Sequence, residues 1–279
     1  MLPDVTVPYA EVIGDPIAQS KSPLIHRHWL ERLNMTGDYR RTRVEAGGLS
    51  DFLRGRRSDP DWRGCNVTIP HKEAVLAHVD ELDSSAAEIR AVNCIVPRAA
   101  GLIGYNTDVD GIAAALAGTI LDGRKAAIIG GGGAARAAVT YLSARKVSEI
   151  VVLVRDPAKA QSLRSLVSNA SMEIGAFGAG PMLLRGSSAI INASPLGMAG
   201  CPEMPGEVTS AVADQPQAIL FDMIYDPVDT AFLSAGNQHT VDGLTMLVGQ
   251  ARKAFELFFG APAPEGDAGL RNLLVSAQA

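Results

Sequence analysis

The sequence predicts an α/β protein built from two domains. Strand-like and helix-like patterns alternate through roughly the first 110 residues, and the alternation starts again near residue 125. Several later strand-like runs, such as residues 150–154, are wholly apolar, which is typical of a parallel sheet covered on both faces. A chain of 279 residues also exceeds the commonest size of a single core, and this favours two domains.

Turn and cap residues delimit the predicted elements of the first series. A strand over residues 9–13 ends at a Gly-Asp-Pro turn. Ser22 and Pro23 then predict the N-cap and first turn of a helix that continues to residue 33. The patterns that follow predict strands over residues 38–44 and 64–69, a helix over 73–82, and a hairpin of strands 91–96 and 102–105.

The second series begins with a helix of small residues over 111–117. It continues with strands over 125–129, 150–154, 189–192 and 218–222, and with helices over 134–144 and 156–167. A long helix over 244–259 follows, with an apolar face of Leu247, Ala251, Ala254 and Phe258. Since one series stops where another starts, we expect domain boundaries near residues 110 and 240.

Charge and cysteine content exclude several classes of protein. The formal net charge is -5 and no Lys/Arg cluster outweighs its acidic neighbours, so a nucleic-acid partner is not expected. No apolar run reaches the ~18 residues that a membrane span requires. The three cysteines lack metal-ligand or redox spacing, and residues 1–11 lack the features of a secretory leader. We therefore expect free thiols, no metal site and a cytoplasmic location.

Residues 130–135 form a glycine-rich loop between a predicted strand and a predicted helix, the context of a dinucleotide-binding fingerprint. Gly130 would make the tight turn, Gly132 would let the backbone approach a pyrophosphate, and Ala135 would let helix pack on strand. The first helical turn would also offer N–H groups to the phosphates. The alternative is a tight turn without a ligand. The predicted cofactor loop also includes Gly131, Gly133 and Ala134.

Three residues after the second strand of this series bear on the choice of cofactor. Arg155 can pair with a 2′-phosphate, whereas Asp156 suits a ribose 2′-hydroxyl. Lys159 adds a second positive charge or is an ordinary solvated cation. These residues leave both NADP(H) and NAD(H) open.

Short polar motifs follow the predicted strands of the first series, where α/β folds place their sites. Singly, each has an ordinary explanation: Ser22 as a helix cap, Lys72 as a surface lysine, Asp108 as part of a turn. Together they supply the hydroxyls, amides, amine and carboxylate that a polyhydroxylated acid requires. We expect His71 to be structural and His26 to lie on a helix surface. The candidate residues are Ser20, Ser22, Asn66, Thr68, Lys72, Asn93 and Asp108.

These motifs resemble, in content and order, those of the shikimate dehydrogenase family. The resemblance spans residues 14–250, and the ordered set is specific where any one motif is not. The motifs are S-K-S-P at 20–23, N-V-T-x-P-x-K at 66–72, A-V-N at 91–93, N-T-D-x-x-G at 106–111, G-x-G-G-A-x-R at 130–136, N-A-[ST]-x-x-G-M at 192–198, D-x-x-Y-x-P-x-x-T at 222–230 and G-L-x-M-L-x-x-Q at 243–250. The sequence departs from the family at Cys94, within Val154-Arg155-Asp156 and at Phe258, where the family usually has Thr, N-R-T and Trp, respectively.

The resemblance implies two domains with different roles. Residues 1–110 with 240–279 would form a substrate-binding catalytic domain, and residues 111–239 a Rossmann-type doubly wound dinucleotide-binding domain, with a cleft between them. Lys72 and Asp108 would be the catalytic pair, and Ser20 and Ser22 would bind the substrate carboxylate. The residues implied to hold the ring hydroxyls are Asn66, Asn93, Asp108 and Gln250, with Thr68 and Tyr225 nearby. The residues implied to contact the cofactor also include Gly243 and Met246.

The implied activity is the reversible NADPH-dependent reduction of 3-dehydroshikimate to shikimate in aromatic amino-acid (chorismate) biosynthesis. The alternatives are an NAD-dependent quinate/shikimate dehydrogenase working in the oxidative direction and a catalytically silent binding protein on the same fold. Retention of Lys72 and Asp108 argues against the silent protein. We expect a small-molecule substrate as partner, and a monomer or homodimer.

Overall fold

The computed structural model describes residues 7–235, 239–265 and 268–277. The predicted lack of a leader rests mainly on residues 1–6, which lie outside the described residues. The chain divides into two compact units. The terminal unit comprises Met1–Thr107 and Gln250–Ala279, and the central unit comprises Asp108–Gly249.

The terminal unit contains a six-stranded mixed sheet with the strand order β2-β1-β3-β5-β6-β4. The first three strands in space are parallel, and the β5–β6 hairpin joins β3 antiparallel. The elements are β1 (Tyr9–Gly14), α1 (Ser22–Arg32), β2 (Asp38–Arg43), α2 (Leu49–Arg57), β3 (Trp62–Val67), β4 (Glu81–Leu82), α3 (Ser84–Ile89), β5 (Cys94–Arg98) and β6 (Gly101–Tyr105).

The central unit contains a parallel sheet with the order β12-β11-β10-β7-β8-β9. Counted from β7, this is the doubly wound dinucleotide-binding order, and the strand order reverses between β7 and β10. The predicted fold class is therefore confirmed. The elements are α4 (Asp108–Ala115), β7 (Lys125–Ile129), α5 (Gly133–Ala144), β8 (Glu149–Val154), β9 (Ser171–Ala176), α6 (Gly180–Leu183), β10 (Ala189–Asn192), α7 (Gly206–Ala213), β11 (Ile219–Asp222) and β12 (Thr240–Val241). Helix α8 (Gly243–Phe259) begins in the central unit, and its residues from Gln250 onward belong to the terminal unit. A last helix, α9 (Ala268–Ser276), returns to the terminal unit.

Side-chain alternation along β1 gives the terminal sheet a core on each face. Tyr9 and Ile13 point to one side, into a cluster that includes Leu49 and Leu53 of α2. The alternate residues face a second cluster that contains Tyr39 of β2 and, from α8, Ala254 and Phe258. This second face carries the polar residues described below.

Two predicted helices are wrong, and each has a local cause. Residues 73–82 form a 3₁₀ turn, Ala74–Ala77, and then β4, because the N–H of Asp80 bonds to the carbonyl of Leu102 beside the hairpin. Residues 156–167 form a turn and a 3₁₀ segment, Gln161–Leu166, in which only Leu163 is buried, too little for an amphipathic helix. Helices α2, α3, α6, α7 and α9 and strands β9 and β12 were not predicted. Among the described helices, none combines the length and apolar character needed to cross a membrane.

Candidate functional site

The two candidate serines lie at the start of α1 and bond to each other. The Ser20 hydroxyl donates to Oγ of Ser22 at 3.3 Å and accepts from the Ser22 N–H at 3.4 Å. The prediction that Ser22 is the N-cap is wrong. Lys21 holds that position without a side-chain cap, and its carbonyl already accepts from the N–H groups of Leu24 and Ile25. Ser22 is therefore inside the helix, and its hydroxyl is not used as a cap.

Lys21, between the serines, is buried and reaches the other end of the chain. Its ammonium donates to the Leu274 carbonyl of α9 at 2.9 Å. A positive charge at a helix C-terminus is favourable, so α9 tethers the serine motif. The Ser20 carbonyl also accepts from Nε of Arg41 at 2.7 Å.

Three predicted hydroxyl-binding residues form one hydrogen-bonded network in the terminal unit. The Asn66 amide donates to the Asn93 carbonyl at 3.1 Å, and the Asn93 amide donates to Oε1 of Gln250 at 3.2 Å. The N–H of Thr107 donates to Oδ1 of Asn93 at 2.7 Å, which fixes the orientation of that amide. These residues come from β3, the loop before β5, α8 and the end of the hairpin, so the fold assembles them from distant parts of the sequence.

The orientation of Asn66 follows from its partners. A main-chain carbonyl only accepts, so the NH₂ of Asn66 must face Asn93 and its oxygen must face the other way. That oxygen accepts from the hydroxyl of Tyr39 at 2.6 Å. Asn66 therefore retains one N–H for a ligand, and its side chain is half-buried.

Tyr39 was missed by sequence reasoning, and His26 was placed wrongly. His26 is fully buried, not on the surface, and its imidazole stacks on Tyr39. Helix α1 turns this face inward because Ile25, Trp29 and Leu30 lie on it. The available signal was that Tyr39 is the one aromatic residue in a strand of charged and polar side chains.

Lys72 and Asp108 lie in different units. Lys72 is half-buried in the loop after β3, where its carbonyl accepts from the N–H of Val92 at 2.8 Å. In the same loop the N–H of Thr68 bonds to the Ile13 carbonyl. His71 is buried and its Nε2 pairs with the Val44 carbonyl at 2.6 Å, as a structural role requires.

Asp108 is buried and begins α4. It directly follows Thr107, which binds Asn93 through both its N–H and its hydroxyl. Residues 106 and 107 do not form the turn that was the alternative prediction, because Asp108 already begins α4. The Asn106 amide donates to the Ala91 carbonyl at 2.9 Å.

The glycine loop follows β7 and opens α5, at the edge where the strand order reverses. Gly130 has φ +121°, and a Cβ there would lie 2.7 Å from the Ala193 carbonyl oxygen, so only glycine fits. Gly131 and Gly132 are exposed, and space around Gly132 is open. Ala135 is buried under the helix. Exposed backbone at the N-terminus of a twelve-residue helix fits the pyrophosphate of a dinucleotide.

The residues after β8 form a tight turn. Oδ1 of Asp156 accepts from the N–H of Ala158 at 3.1 Å, and Oδ2 lies 3.9 Å from Nζ of Lys159. Arg155 precedes the turn and is exposed. The Asp156 carboxylate is thus engaged with its own turn, while the two cations of the segment reach solvent.

A buried network shapes the loops after β10 and β11. Asp222 accepts from the amide of Asn192 at 3.0 Å, from the Thr230 hydroxyl at 2.6 Å and from the N–H of Ile224 at 3.0 Å. Burial raises the pKa of Asp222 to about 6, and these hydrogen bonds act in the opposite direction. The sequence motifs contained these residues but did not reveal the hydrogen bonds between them.

The remaining predicted residues also lie in the central unit. Tyr225 follows β11 and is half-buried. Gly243 begins α8, and its N–H donates a hydrogen bond to the Ile224 carbonyl. Met246 is buried one helical turn later. A side chain at Gly243 would collide with the main chain at Met223 and Ile224. Within the described residues, no group of three or more His, Cys, Asp or Glu is arranged to hold a metal ion.

Three family models match successive parts of the chain. The Shikimate dehydrogenase substrate binding domain matches residues 12–95, Shikimate / quinate 5-dehydrogenase matches 112–197, and Shikimate 5'-dehydrogenase C-terminal domain matches 243–267. A curated relative, the Shikimate dehydrogenase (NADP(+)) of Sphingopyxis alaskensis, is 47% identical over 96% of this chain and 97% of its own length. The chain belongs to the shikimate dehydrogenase family.

Solved structures of family members have the same fold. Shikimate 5-dehydrogenase from Listeria monocytogenes, in complex with shikimate and NAD, has a TM-score of 0.84 at 28% identity and covers 95% of this chain and 96% of its own. The Thermus thermophilus enzyme, in complex with NADP(H) and shikimate, has a TM-score of 0.79 at 29% identity, with 95% and 98% covered.

Proposed function

We propose that this chain catalyses the reversible NADPH-dependent reduction of 3-dehydroshikimate to shikimate, in the biosynthesis of chorismate and the aromatic amino acids. The observation that carries the proposal is the network joining Asn66, Asn93 and Gln250. A ring with several hydroxyls needs several oriented amides, and this network fixes each of them. A relative named Shikimate dehydrogenase (NADP(+)) that is 47% identical over almost the whole chain supports the same activity.

The cofactor proposed is NADP(H). The glycine loop at residues 130–133, with Ala134 and Ala135, would hold the pyrophosphate, and Arg155 and Lys159 would pair with the 2′-phosphate. Gly243 and Met246 would lie near the rest of the cofactor. When bound, NADP supplies the two-electron redox step by exchanging hydride with the substrate carbon.

Lys72 is proposed to move the proton. In the oxidative direction its amine would take the proton of the reacting hydroxyl, and in the reductive direction its ammonium would return that proton to the forming alkoxide. Asp108 would orient the lysine and accept a hydrogen bond from a neighbouring hydroxyl. Ser20 and Ser22 would bind the substrate carboxylate, and Thr68 and Tyr225 would complete the substrate site.

A matrix of initial rates tests the proposal. The purified protein would be given shikimate and quinate, each with NADP and with NAD, and formation of the reduced cofactor would be followed by absorbance. We expect the highest kcat/KM for shikimate with NADP. A preference for quinate with NAD would favour the alternative dehydrogenase instead, and an inactive protein that still binds shikimate would favour the silent binding protein.

Location and assembly belong to the same proposal. The three thiols, Cys65, Cys94 and Cys201, are free, and this supports a reducing compartment such as the cytoplasm. A monomer or homodimer remains the prediction, which sedimentation velocity would test directly.

A further inference from the structure

We infer that Tyr39 is a positioning residue for substrate recognition, acting through Asn66. The inference rests on the proposed function, because it assigns Asn66 to the shikimate ring. Tyr39 is fully buried, and its hydroxyl lies 2.6 Å from Oδ1 of Asn66. Within the part of the chain that the structure describes, it contributes the one hydrogen bond to the oxygen of this amide.

The geometry of the sheet explains how Tyr39 reaches Asn66. The two residues lie on β2 and β3, on either side of β1, and project from the same face. Their register partners on β1 are Ala10 and Val12, respectively. The small side chain of Ala10 leaves room for the tyrosine ring to lie across β1. The Tyr39 hydroxyl therefore reaches Asn66, which lies beside Val12 on β3.

The Tyr39 ring is fixed from two helices. The imidazole of His26 from α1 stacks on it, with ring centroids 4.0 Å apart and planes inclined by 2°. Phe258 from α8 packs on it at 6.3 Å. A ring held in this way cannot follow Asn66 if the amide rotates, so the amide must stay where the hydroxyl is.

The direction of the hydrogen bonds gives the consequence for a ligand. Tyr39 must donate, because the oxygen of Asn66 faces it while the NH₂ faces the Asn93 carbonyl. The remaining N–H of Asn66 is then held as a donor toward a ring hydroxyl. Without the tyrosine hydroxyl, the amide loses the partner of its oxygen and can turn away, so binding weakens while proton transfer at Lys72 is untouched.

The test is the variant Tyr39→Phe, which keeps the stack and removes the hydroxyl. We expect its KM for shikimate to rise roughly 3- to 10-fold, as for loss of one hydrogen bond, with kcat and the KM for NADP within about 2-fold of wild type. The matched control is Tyr9→Phe, which removes a 2.7 Å hydrogen bond to Asp59 on the opposite face of the same sheet. The control should leave the KM for shikimate unchanged.

A double-mutant cycle tests whether the effect passes through Asn66. In an Asn66→Ala background, Tyr39→Phe should change the KM for shikimate by less than about 2-fold. An equal effect in both backgrounds would overturn the inference, as would an unchanged KM in folded Tyr39→Phe. Should that variant fail to fold, Tyr39→Met removes the hydroxyl with a flexible apolar side chain and carries the same expectation.

Calorimetric titration of shikimate into the cofactor-free protein separates this inference from the proposed function. Wild-type turnover with a weaker Kd in Tyr39→Phe supports both. Wild-type turnover with an unchanged Kd overturns the role of Tyr39 alone. A wild-type protein that neither binds nor oxidises shikimate overturns both.

Discussion

The imidazole of His26 lies flat against the phenol ring of Tyr39, with centroids 4.0 Å apart. Neither ring nitrogen of His26 has a hydrogen-bond partner in the described part of the chain, and the residue is fully buried. Burial lowers the pKa of His26 from 6.5 to about 3. The imidazole of His26 is therefore neutral and acts as an aromatic ring that packs on Tyr39. Its protonation would require the chain to unfold or the side chain to become exposed to solvent.

The terminal unit should consequently lose stability in acid through His26. Between about pH 6.5 and pH 3 the unfolded chain binds a proton at this residue and the folded chain does not, so the free energy of unfolding falls as pH falls. Near pH 4 the loss is on the order of 3 kcal/mol. Urea unfolding followed by tryptophan fluorescence reports this unit, because Trp29 and Trp62 both belong to it. The variant His26→Phe should show a flatter pH dependence, and a slope equal to that of wild type would contradict the prediction.

The central unit should show the opposite pH dependence through Asp222. Its pKa is raised from 3.8 to about 6 by burial, so the folded state binds the proton more tightly than the unfolded state. The contribution of Asp222 to the free energy of unfolding therefore falls as pH rises from about 4 to 6, by roughly 2–3 kcal/mol. Hydrogen exchange at the amides of β11 measures it. The free energy of unfolding of wild type minus that of Asp222→Asn should fall by this amount as pH rises through this range, and a constant or rising value would refute the assignment.

Replacing Lys72 should affect chemistry more than binding. The variant Lys72→Met keeps the length of the side chain and removes the amine, and kcat should fall ~10² to 10⁴-fold with little change in the KM for shikimate. Lys253→Met is the control, because this exposed lysine of α8 forms its salt bridge with Glu256, one helical turn away. Near-normal turnover of Lys72→Met at neutral pH would remove the lysine from the proton transfer.

Ser22 should matter for substrate binding and not for stability. Its hydroxyl is not a helix cap, so Ser22→Ala should raise the KM for shikimate while the melting temperature stays close to that of wild type. Asp83 is the reciprocal control: it is a real N-cap, accepting from the N–H of Ser85 at 3.0 Å. Asp83→Ala should cost about 1 kcal/mol of stability with KM unchanged. A Ser22→Ala variant with reduced stability and normal KM would reverse both assignments.

The buried strands and the glycine loop of the central unit were predictable because their signals are local. Apolar runs fix the buried strands, and the strands over 125–129 and 189–192 have the predicted bounds. The glycine loop carries its own conformational requirement, since Gly130 needs a positive φ and has no room for a side chain. In such segments neighbours in sequence determine the structure.

The terminal unit was harder because its contacts are distant in sequence. Lys21 bonds to Leu274, and Asn93 to Gln250, and no local pattern reveals either pair. His26 has a polar side chain on an inward face, so its placement depends on Tyr39 from another strand. Resemblance to the family supplied most of the candidate ligands, yet it gave no reason for Tyr39, whose role depends on reaching across β1.

The choice of cofactor should depend on the turn after β8. Arg155 is exposed, so its pairing with a 2′-phosphate is a solvent-screened, charge-assisted contact, and Arg155→Ala should lower kcat/KM for NADP about 10-fold more than for NAD.

Asp156 has two properties that variants can separate. Its oxygen caps the turn by accepting from Ala158, and its charge opposes a phosphate. Asp156→Asn keeps an acceptor for the turn and removes the charge, so kcat/KM for NADP should rise by a few-fold, the scale of one exposed charge pair. Asp156→Ala removes both, so any gain from the lost charge is offset by a looser turn. Steady-state kinetics of the two variants with NADP and NAD decide between charge and turn. One outcome is that Asp156→Asn leaves kcat/KM unchanged while Asp156→Ala lowers kcat/KM with both cofactors. In that case Asp156 acts only as a turn cap, and Arg155 and Lys159 set the preference for NADP.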